Sequence, residues 1–415
     1  MRILYLCHRI PYPPNKGDKI RAFHQLRALS TRHEVDLFTL ADQAEDMAFK
    51  PALAQFCRRV TVTRMFPALS RLRALPFLLS RMPLTIPCFY SAELHAAIRN
   101  ALSSRSYDRI FVYSSAMAQY LDPASQIPVV MDLVDVDSDK WRQYAAFTRF
   151  PFSAVYRREA KHLREYERRA CKRASCVLVA TEREAELARQ ISTAPVQVIP
   201  NGVDTEYFSP HPTAVPSTIP TVTFTGDMSY FPNEEAVVAF ARGVLPLIRR
   251  SIPNVRFLVV GRAPGRRVLR LRHMEGVEVT GFVPDVRTYL AQTHVSVAPF
   301  SIAAGIQNKI LEALAYGLPV VATSRAAQGL STGVADIVEK GNSPEELASV
   351  VVRLLQDHEL RRQKGIEGRR GVMTEYDWER SLDRLLQLVE DAGGDRREDS
   401  RNAQILEPAS YTGRS

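Results

Sequence analysis

The chain has 415 residues, of which 46% are hydrophobic and 24% are charged. This composition is typical of a folded globular protein and excludes a disordered one, and the length is too great for one ordinary core, so we expect two domains. The formal net charge of +10 points to an anionic partner such as a membrane surface, a nucleic acid or a phosphorylated substrate.

The cysteines and the N-terminal segment bear on the compartment. The five cysteines are odd in number and scattered, which favours free thiols in a reducing environment. The apolar residues 1–7 run directly into His8 and Arg9, so they predict a first strand and not a signal peptide. No apolar run in the sequence approaches the ~18 residues that a membrane span requires. We therefore expect a cytoplasmic protein.

The chain begins with the pattern of a β-α-β unit. Residues 3–7 and 35–40 have the apolar character of buried strands, and the helix between them has Asp18 as a candidate N-cap. Gly17 precedes this helix, at a position where a bare backbone lets a phosphate approach. The alternative for Gly17 is an ordinary strand–helix turn.

Two basic stretches follow. In residues 57–110, nine arginines face only Glu93 and Asp108, and apolar residues lie between the arginines. This mixture predicts a segment that lies on an anionic membrane surface; the alternative is a core-facing helix with a solvated arginine face. Residues 149–174 predict a basic amphipathic helix that either covers the sheet or docks on lipid headgroups.

Acidic side chains cluster where the predicted strand 129–131 ends. Asp132, Asp135, Asp137 and Asp139 lie within eight residues of one another. Carboxylates at the end of a buried strand can accept a proton from a hydroxyl group or hold hydroxyl groups by hydrogen bonds. A divalent-cation site and a solvated turn are the alternatives.

A second α/β domain is predicted from residue 221, after a linker rich in proline, serine and threonine. Its first strand ends at Gly226, and Asn233 is a candidate N-cap of the helix that follows. Further on, Arg262 follows the predicted strand 256–260.

The stretch 295–323 carries the clearest site pattern. A buried strand at 295–300 leads through a Gly-containing loop into a helix that Gly317 ends. A loop of this kind is where open α/β sheets hold phosphates and nucleotides. Lys309 and Glu312 lie one helical turn apart. Because a lysine in the first turn opposes the helix dipole at a cost of up to ~1 kcal/mol, we expect an anion beside Lys309.

These residues resemble a known family. The stretch 295–323, VSVAPFSIAAGIQNKILEALAYGLPVVAT, is similar to the donor site of retaining glycosyltransferases of family 4, which have the GT-B fold. Residues 198–210 resemble the interdomain signature of that family, and residues 276–297 resemble its base-contacting segment. The form AGIQNKILEALA is similar to a subgroup that includes the sugar transferases associated with exosortase/PEP-CTERM exopolysaccharide systems. The resemblance covers roughly residues 1–391.

The chain departs from the family pattern at three points. Ala304 stands where relatives have the first of two glutamates, of which Glu312 is the second. Residues 227–229 replace an arginine and a lysine that grip the donor diphosphate, so we expect Arg262 and Lys309 to supply that grip. Relatives have a histidine near the aspartate cluster, and either Asp132 or Asp135 is the acidic stand-in.

The resemblance implies an α/β protein of the GT-B class, with two Rossmann-like domains that face a cleft and a C-terminal crossover helix. The expected boundaries are an acceptor-side domain at 1–205, a linker at 206–220, a nucleotide-sugar domain at 221–373, the crossover helix at 374–392 and a disordered tail at 393–415. The candidate catalytic residues are Asp132, Asp135 and Lys309. The candidate donor-binding residues are Gly17, Gly226, Arg262, Phe282, Val283, Gly305, Ile306, Gln307, Asn308, Lys309 and Glu312.

The implied activity is sugar transfer from a nucleotide-sugar to a lipid-linked or saccharide acceptor, with retention and without a metal or other cofactor. The expected setting is exopolysaccharide biosynthesis on the inner face of the cell membrane. One rival is a catalytically silent partner subunit of a polysaccharide assembly complex that only binds a nucleotide-sugar, which Ala304 and the missing histidine would fit. A nucleic-acid-binding protein is a second rival, but the basic stretches lack the aromatic spacing of a single-strand platform, so we expect no nucleic-acid partner.

Overall fold

The computed structural model describes residues 1–14, 16–210, 217–303 and 305–392, without the side chain of Arg71. Ala304, the tail 393–415 and residues 211–216 of the predicted linker lie outside the described residues. Within the described ranges, no helix is long and apolar enough to cross a bilayer.

The first α/β unit is built on a parallel sheet of seven described strands. The strands are β1 (Arg2–Cys7), β2 (Glu34–Ala41), β3 (Arg59–Arg64), β4 (Arg109–Tyr113), β5 (Val129–Val134), β6 (Cys176–Val179) and β7 (Val196–Val198). Their order in the sheet is β3-β2-β1-β4-β5-β6-β7. The helices are α1 (Gly17–Arg32), α2 (Lys50–Leu53), α3 (Pro67–Ala74), α4 (Thr85–Cys88), α5 (Ala92–Ser104), α6 (Asp137–Phe147), α7 (Phe152–Cys171) and α8 (Glu182–Arg189). Short 3-10 helices span Glu45–Phe49, Leu75–Leu79 and Ser115–Tyr120.

The second unit has a parallel sheet of six described strands. The strands are β8 (Thr221–Thr225), β9 (Arg256–Val260), β10 (Val277–Gly281), β11 (Val295–Ala298), β12 (Val320–Ala322) and β13 (Glu339–Lys340). Their order is β10-β9-β8-β11-β12-β13. The helices are α9 (Phe231–Ala239), α10 (Leu245–Ser251), α11 (Arg266–Leu269), α12 (Arg287–Leu290), α13 (Asn308–Ala315), α14 (Ser324–Ala327), α15 (Thr332–Ile337), α16 (Pro344–Gln356), α17 (His358–Glu375) and α18 (Trp378–Asp391). A π-helical turn spans Phe240–Val244, and a 3-10 helix spans Arg270–His273.

The apolar runs of the sequence become the central strands. Ile3, Leu4, Tyr5 and Leu6 of β1 are fully buried, as expected for a parallel strand that helices cover on both faces. Because the strands of each sheet are parallel, their carboxyl ends lie along one edge, and the loops that carry the site candidates start from those edges.

The last helix returns to the first unit, as the sequence predicts. Leu385, Leu386 and Val389 of α18 belong to the same buried cluster as β1 and α1. Arg109 at the start of β4 donates hydrogen bonds to the carbonyls of Val389 and Glu390 at 3.1 and 3.0 Å, which ties the end of α18 to the first sheet. The crossover helix begins at Trp378, four residues later than the predicted boundary at 374.

Several local predictions differ from the structure. Residues 57–110 contain β3 and the helix α5, whose Leu94, Ile98 and Ala101 are buried, and most of the exposed apolar side chains of this range lie between these two elements. Asp18 does not cap α1, since the cap position is Lys16 and the Asp18 carboxylate instead accepts from Arg9. Asn233 lies inside α9 and not at its cap, which is Tyr230.

Candidate active site in the interdomain cleft

Loops that follow strand ends of the two sheets meet across a cleft. Lys16 Nζ, after β1, lies 3.7 Å from Asp227 Oδ2, after β8. Asn201 Nδ2 donates to Asn308 Oδ1 of α13 at 3.2 Å. A Cβ built on Gly17 would lie 3.6 Å from Asn308 Nδ2, so Gly17 faces the start of α13. The carboxyl edges of both sheets therefore line one crevice, the usual place for a ligand in open α/β sheets.

Lys309 lies in the first turn of α13, where the sequence predicts a phosphate-binding cation. Its Nζ donates to Asn233 Oδ1 at 2.6 Å and lies 4.3 and 4.5 Å from the ring centroids of Phe224 and Phe300. Burial lowers the pKa of Lys309 to about 7, although the nearby Glu312 carboxylate raises it in part. An added anion would stabilise the charged form of this lysine.

Glu312 lies one turn further along α13 and is half-buried. Burial raises its pKa to about 7, and the positive charge of Lys309 lowers it in part. A carboxylate in such a place gains from hydroxyl donors, because hydrogen bonds to the charged form offset its desolvation. This environment suits a carboxylate that accepts hydrogen bonds from two sugar hydroxyl groups.

Two glycines let the backbone lie close to charged side chains. Gly226 follows β8 with a φ of 155°, and a Cβ there would lie 3.0 Å from Lys309 Nζ. Gly305 precedes α13 with a φ of 60°, and a Cβ there would collide with the Asp135 carboxylate of the first unit. Any side chain at Gly305 would therefore separate Asp135 from the loop that leads into α13.

The predicted loop residues Ile306, Gln307 and Asn308 carry the chain from Gly305 into α13 and are all half-buried. Asn308 is the first residue of the helix, so the positive end of the helix dipole lies at its contact with Asn201. The first-turn amides and Lys309 therefore lie on the same side of the cleft.

The structure separates the two aspartates that the sequence leaves as alternatives. Asp132 has no exposed surface, and its carboxylate lies 2.7 Å from Arg21 Nη2, accepts from Gln25 at 2.6 Å, and accepts from the Val134 amide at 2.8 Å. Arg21 also donates to Asn201 at 3.0 Å. Asp132 is therefore buried in a hydrogen-bonded network that runs through Arg21 to Asn201. Because its carboxylate has no exposed surface and already has donors, Asp132 does not suit the role of proton acceptor.

Asp135 faces the second unit. It follows Val134, whose φ of 66° is a strained value for a β-branched residue and re-aims the chain at the end of β5. Burial raises the pKa of Asp135 to about 6, with the Lys140 ammonium acting in the opposite direction. A partly buried carboxylate with a pKa near neutrality, in contact with the loop before α13, suits proton transfer or hydroxyl binding.

The two candidate arginines differ in their partners. Arg262 Nε, after β9, lies 3.0 Å from Asp227 Oδ2 on the side of Lys309. Arg287, for which both a structural and a phosphate-binding role are open from sequence, donates through Nε and Nη2 to Asp285 and lies 4.0 Å above the Tyr207 ring. Arg287 thus braces the junction with residues 204–208, and Arg262 remains the phosphate-binding candidate.

Phe282 and Val283 follow β10, the edge strand of the second sheet. Phe282 is 74% exposed, and Gly281 before it has a φ of 79° that turns the chain outward. A large exposed ring at the carboxyl edge of a sheet can hold a planar base against its face.

Sequence reasoning missed three residues that lie in this cleft, Lys16, Asp227 as an ion-pairing group and Asn233, and it also missed His8 at the carboxyl end of β1. His8 follows β1, stacks on Tyr113 with centroids 5.8 Å apart, and has Nε2 3.5 Å from Asp18 Oδ2. Burial raises the pKa of Asp18, but the His8 hydrogen bond and the Arg9 charge hold it well below its usual range. The available signal was position: His8 and Lys16 follow β1, and Asp227 and Asn233 follow β8, at the edges where sites form.

The described residues contain no group of three or more His, Cys, Asp or Glu side chains that could hold a metal ion.

Solved structures with a similar fold include the following two. Sucrose-phosphate synthase from Thermosynechococcus elongatus superimposes with a TM-score of 0.72 at 19% identity, over 95% of this chain and 100% of that one. Anabaena Alr3699/HepE in complex with UDP and glucose gives a TM-score of 0.68 at 18% identity, over 94% and 100%. Two α/β domains that face a cleft with a returning C-terminal helix define the GT-B class of glycosyltransferase folds, and the predicted fold class is confirmed.

The sequence comparisons identify the family. The model for Glycosyltransferase Family 4 matches residues 19–207, and the model for Glycosyl transferases group 1 matches residues 219–357. The chain belongs to family 4 of the group 1 glycosyltransferases. One component of the phosphatidylinositol N-acetylglucosaminyltransferase of Arabidopsis thaliana is 32% identical over 159 residues, which is 36% of this chain and 34% of that protein. The match thus spans about a third of this relative's length.

Proposed function

We propose that this protein transfers a sugar from a nucleotide-sugar donor to a lipid-linked or saccharide acceptor, with retention of anomeric configuration and without a metal. The observation that carries the proposal is the juxtaposition of Lys309 and Glu312 on α13 with Asp135 of the facing unit, through the loop at Gly305. The family membership and the nucleotide in the Anabaena structure support a nucleotide-sugar as donor.

In this proposal the second unit binds the donor. Lys309 and Arg262 bind the diphosphate and stabilise the negative charge that develops on it as the sugar leaves. Glu312 accepts hydrogen bonds from the ribose hydroxyls, and the base rests beside Phe282 and Val283. Gly17 and Gly226 allow the diphosphate to approach the backbone on either side of the cleft.

The first unit presents the acceptor. Asp135 accepts a hydrogen bond from the acceptor hydroxyl and takes its proton as the new bond forms, which its pKa of about 6 allows at neutral pH. Closure of the two units around both substrates sets the hydroxyl against the sugar carbon.

The test of the donor site is a calorimetric titration with UDP, GDP and ADP and their common sugar conjugates, in EDTA, on the wild type and on Lys309→Ala. We expect micromolar binding of one nucleotide that is lost in the variant, while Lys340→Ala, an exposed lysine of the same unit, binds normally. No binding to any of them by folded protein would overturn the proposal. Tight binding without turnover, whatever the acceptor offered, would favour the silent binding partner.

The acceptor is proposed to be membrane-bound on the basis of an exposed apolar face in the first unit. We name this the first-domain apolar face and define it by six side chains that are at least partly solvated, of which Leu72 is 62% and Leu79 100% exposed: Phe66, Leu69, Leu72, Leu75, Leu79 and Met82. Several large exposed apolar side chains within 17 residues are typical of an interaction site.

Charge and position favour an anionic membrane as the partner of this face. Arg64, Arg73 and Arg81 are exposed within the same segment. Arg158 of α7 donates to the carbonyls of Phe77 and Met82, and these hydrogen bonds hold the first-domain apolar face against α7. Phe150, just before α7, is 82% exposed. Because α3 follows the carboxyl end of β3, the face starts from the same edge of the sheet as the cleft.

A vesicle experiment tests this part of the proposal. We expect the wild type to co-sediment with vesicles of ~30% anionic lipid and to be released by high salt, because arginine–headgroup attraction is screened. The double variant Leu72→Ser, Leu75→Ser should bind the vesicles about tenfold more weakly, or weaker still. Each substitution removes a leucine whose burial in the bilayer contributes up to ~1.5–3 kcal/mol. Ile366→Ser with Met373→Ser, exposed residues of α17, is the matched control. Equal binding of both double variants would exclude the face as the docking site.

The biological setting completes the proposal. The name of the Arabidopsis relative includes phosphatidylinositol, which supports a lipid-linked acceptor here. Exopolysaccharide assembly on the cytoplasmic side of the membrane, with the protein peripheral to it, remains the prediction from the resemblance of residues 304–315 to the exosortase-associated subgroup.

A further inference from the structure

Asp227 lies in the loop after β8, in the region 227–229 where the family resemblance implies basic residues, and its carboxylate contacts two cations. Its Oδ2 lies 3.0 Å from Arg262 Nε and 3.7 Å from Lys16 Nζ. Its charge also acts on Lys309, whose pKa it raises in part after the larger effects of burial and Glu312. One carboxylate oxygen thus lies among cations that come from both units.

The loop around Asp227 fixes this arrangement. Oδ1 accepts from the amide and the hydroxyl of Ser229 at 3.0 and 2.6 Å, so the carboxylate is oriented and only Oδ2 is turned toward the cations. The Asp227 carbonyl accepts from Asn233 Nδ2 at 2.8 Å, and the Oδ1 of that same amide group accepts from Lys309. Asp227, Asn233 and Lys309 therefore form one connected polar group at the end of β8.

The side chains of Asp227, Arg262 and Lys16 are 18%, 28% and 23% exposed, so the two ion pairs are partly buried but still reached by solvent. In a partly buried pair the cost of desolvating both charges offsets much of their attraction, so these two pairs contribute little net stability. A diphosphate offers more charge and more acceptor oxygens than one carboxylate oxygen, and would compete effectively for the same donors.

We propose that Asp227 acts as an internal anion that competes with the donor diphosphate for Arg262 and Lys16, and that Lys16 is a diphosphate ligand supplied by the first unit. This inference rests on the proposed function and deepens it. When the diphosphate displaces Asp227, Lys16 joins the two units through the ligand. After transfer, the carboxylate takes the two cations back and favours release of the nucleoside diphosphate.

The test measures binding of a nucleoside diphosphate and of the corresponding nucleoside by calorimetry, on wild type, Asp227→Asn and Lys16→Met. Asparagine keeps an oxygen for Ser229 and removes the charge. We expect Asp227→Asn to bind the diphosphate at least about threefold more tightly at low salt, with the gain reduced in ~0.5 M salt. Lys16→Met should bind the diphosphate about tenfold more weakly. Neither variant should change nucleoside binding.

The control is Glu278→Gln, which removes the carboxylate facing Arg256 at the opposite end of β9, 3.6 Å away, and should leave all affinities unchanged. Equal or weaker diphosphate binding by folded Asp227→Asn would overturn the inference and assign Asp227 a supporting role for Arg262. Unchanged diphosphate binding by Lys16→Met would also overturn the inference. Because Lys16 is partly exposed, this second test does not depend on whether the Asp227 variants fold. If the wild type binds no nucleoside diphosphate, the proposed function falls and this inference with it.

Discussion

Replacement of Lys309 by methionine is the most informative perturbation, because the lysine combines an unusual environment with a predicted role. Methionine keeps the length and the contact with the rings of Phe224 and Phe300 and removes the charge. The Asn233 side chain loses its 2.6 Å partner but keeps its hydrogen bond to the Asp227 carbonyl. Since burial lowers the pKa of Lys309 to about 7, loss of the charge itself costs the folded protein little, and we expect a loss of stability of at most the ~1–3 kcal/mol for leaving the buried Asn233 oxygen without a donor.

The size of the effect follows from the loss of one charge-assisted hydrogen bond. Such bonds contribute ~1.5–3 kcal/mol, which corresponds to a roughly 10- to 150-fold weaker Kd for the diphosphate. The lowered pKa adds a proton signature. At pH 8, about 90% of a group with a pKa of about 7 is neutral, so binding of an anion that restores the charge should take up close to one proton. Glu312 also has a pKa of about 7 but is already mostly ionised at pH 8, so it should release only a small fraction of a proton on binding.

The assay is calorimetry at pH 8 in two buffers of different ionisation enthalpy. The wild type should show proton uptake and an affinity that falls as pH rises above about 7, because the lysine must be protonated to bind. Lys309→Met should show neither. Lys340→Met, an exposed lysine on β13, should behave as wild type. Diphosphate binding by Lys309→Met at wild-type affinity, or wild-type binding without proton uptake, would refute the reasoning.

Three further predictions concern the carboxylates. Asp135→Asn should abolish transfer and leave donor binding intact. The kcat/KM of the wild type should fall as pH drops through about 6, since the base must be ionised, and a flat profile between pH 5 and 8 would contradict this. Asp132→Asn should lower the free energy of unfolding, measured in urea, by ~3–5 kcal/mol, because it leaves buried Arg21 without its counter-charge. A small loss of stability would mean that the Asp132–Arg21 pair is dispensable. Glu312→Gln should weaken nucleotide binding about tenfold but not binding of inorganic pyrophosphate, whereas an equal loss for both ligands would argue against a ribose contact.

The sequence determined the framework of this protein. Apolar runs such as residues 3–7 and 256–260, separated by helical periodicity, are sufficient for two parallel sheets, because strands covered on both faces must be apolar throughout. Gly317, with a φ of 80°, ends α13 as its position predicts. The placement of Lys309 in the first turn of a helix after a strand was also readable, since it follows from local order along the chain.

Tertiary structure decided which of the polar residues work together. Asp132 and Asp135 are three positions apart in sequence, and only the strained turn at Val134 sends one into a buried pair with Arg21 and the other toward Gly305. The meeting of Lys16 with Asp227 joins loops more than two hundred residues apart. Periodicity and capping report on neighbours along the chain, whereas ion pairs across a cleft depend on how two separately folded units are oriented, and no local pattern encodes that orientation.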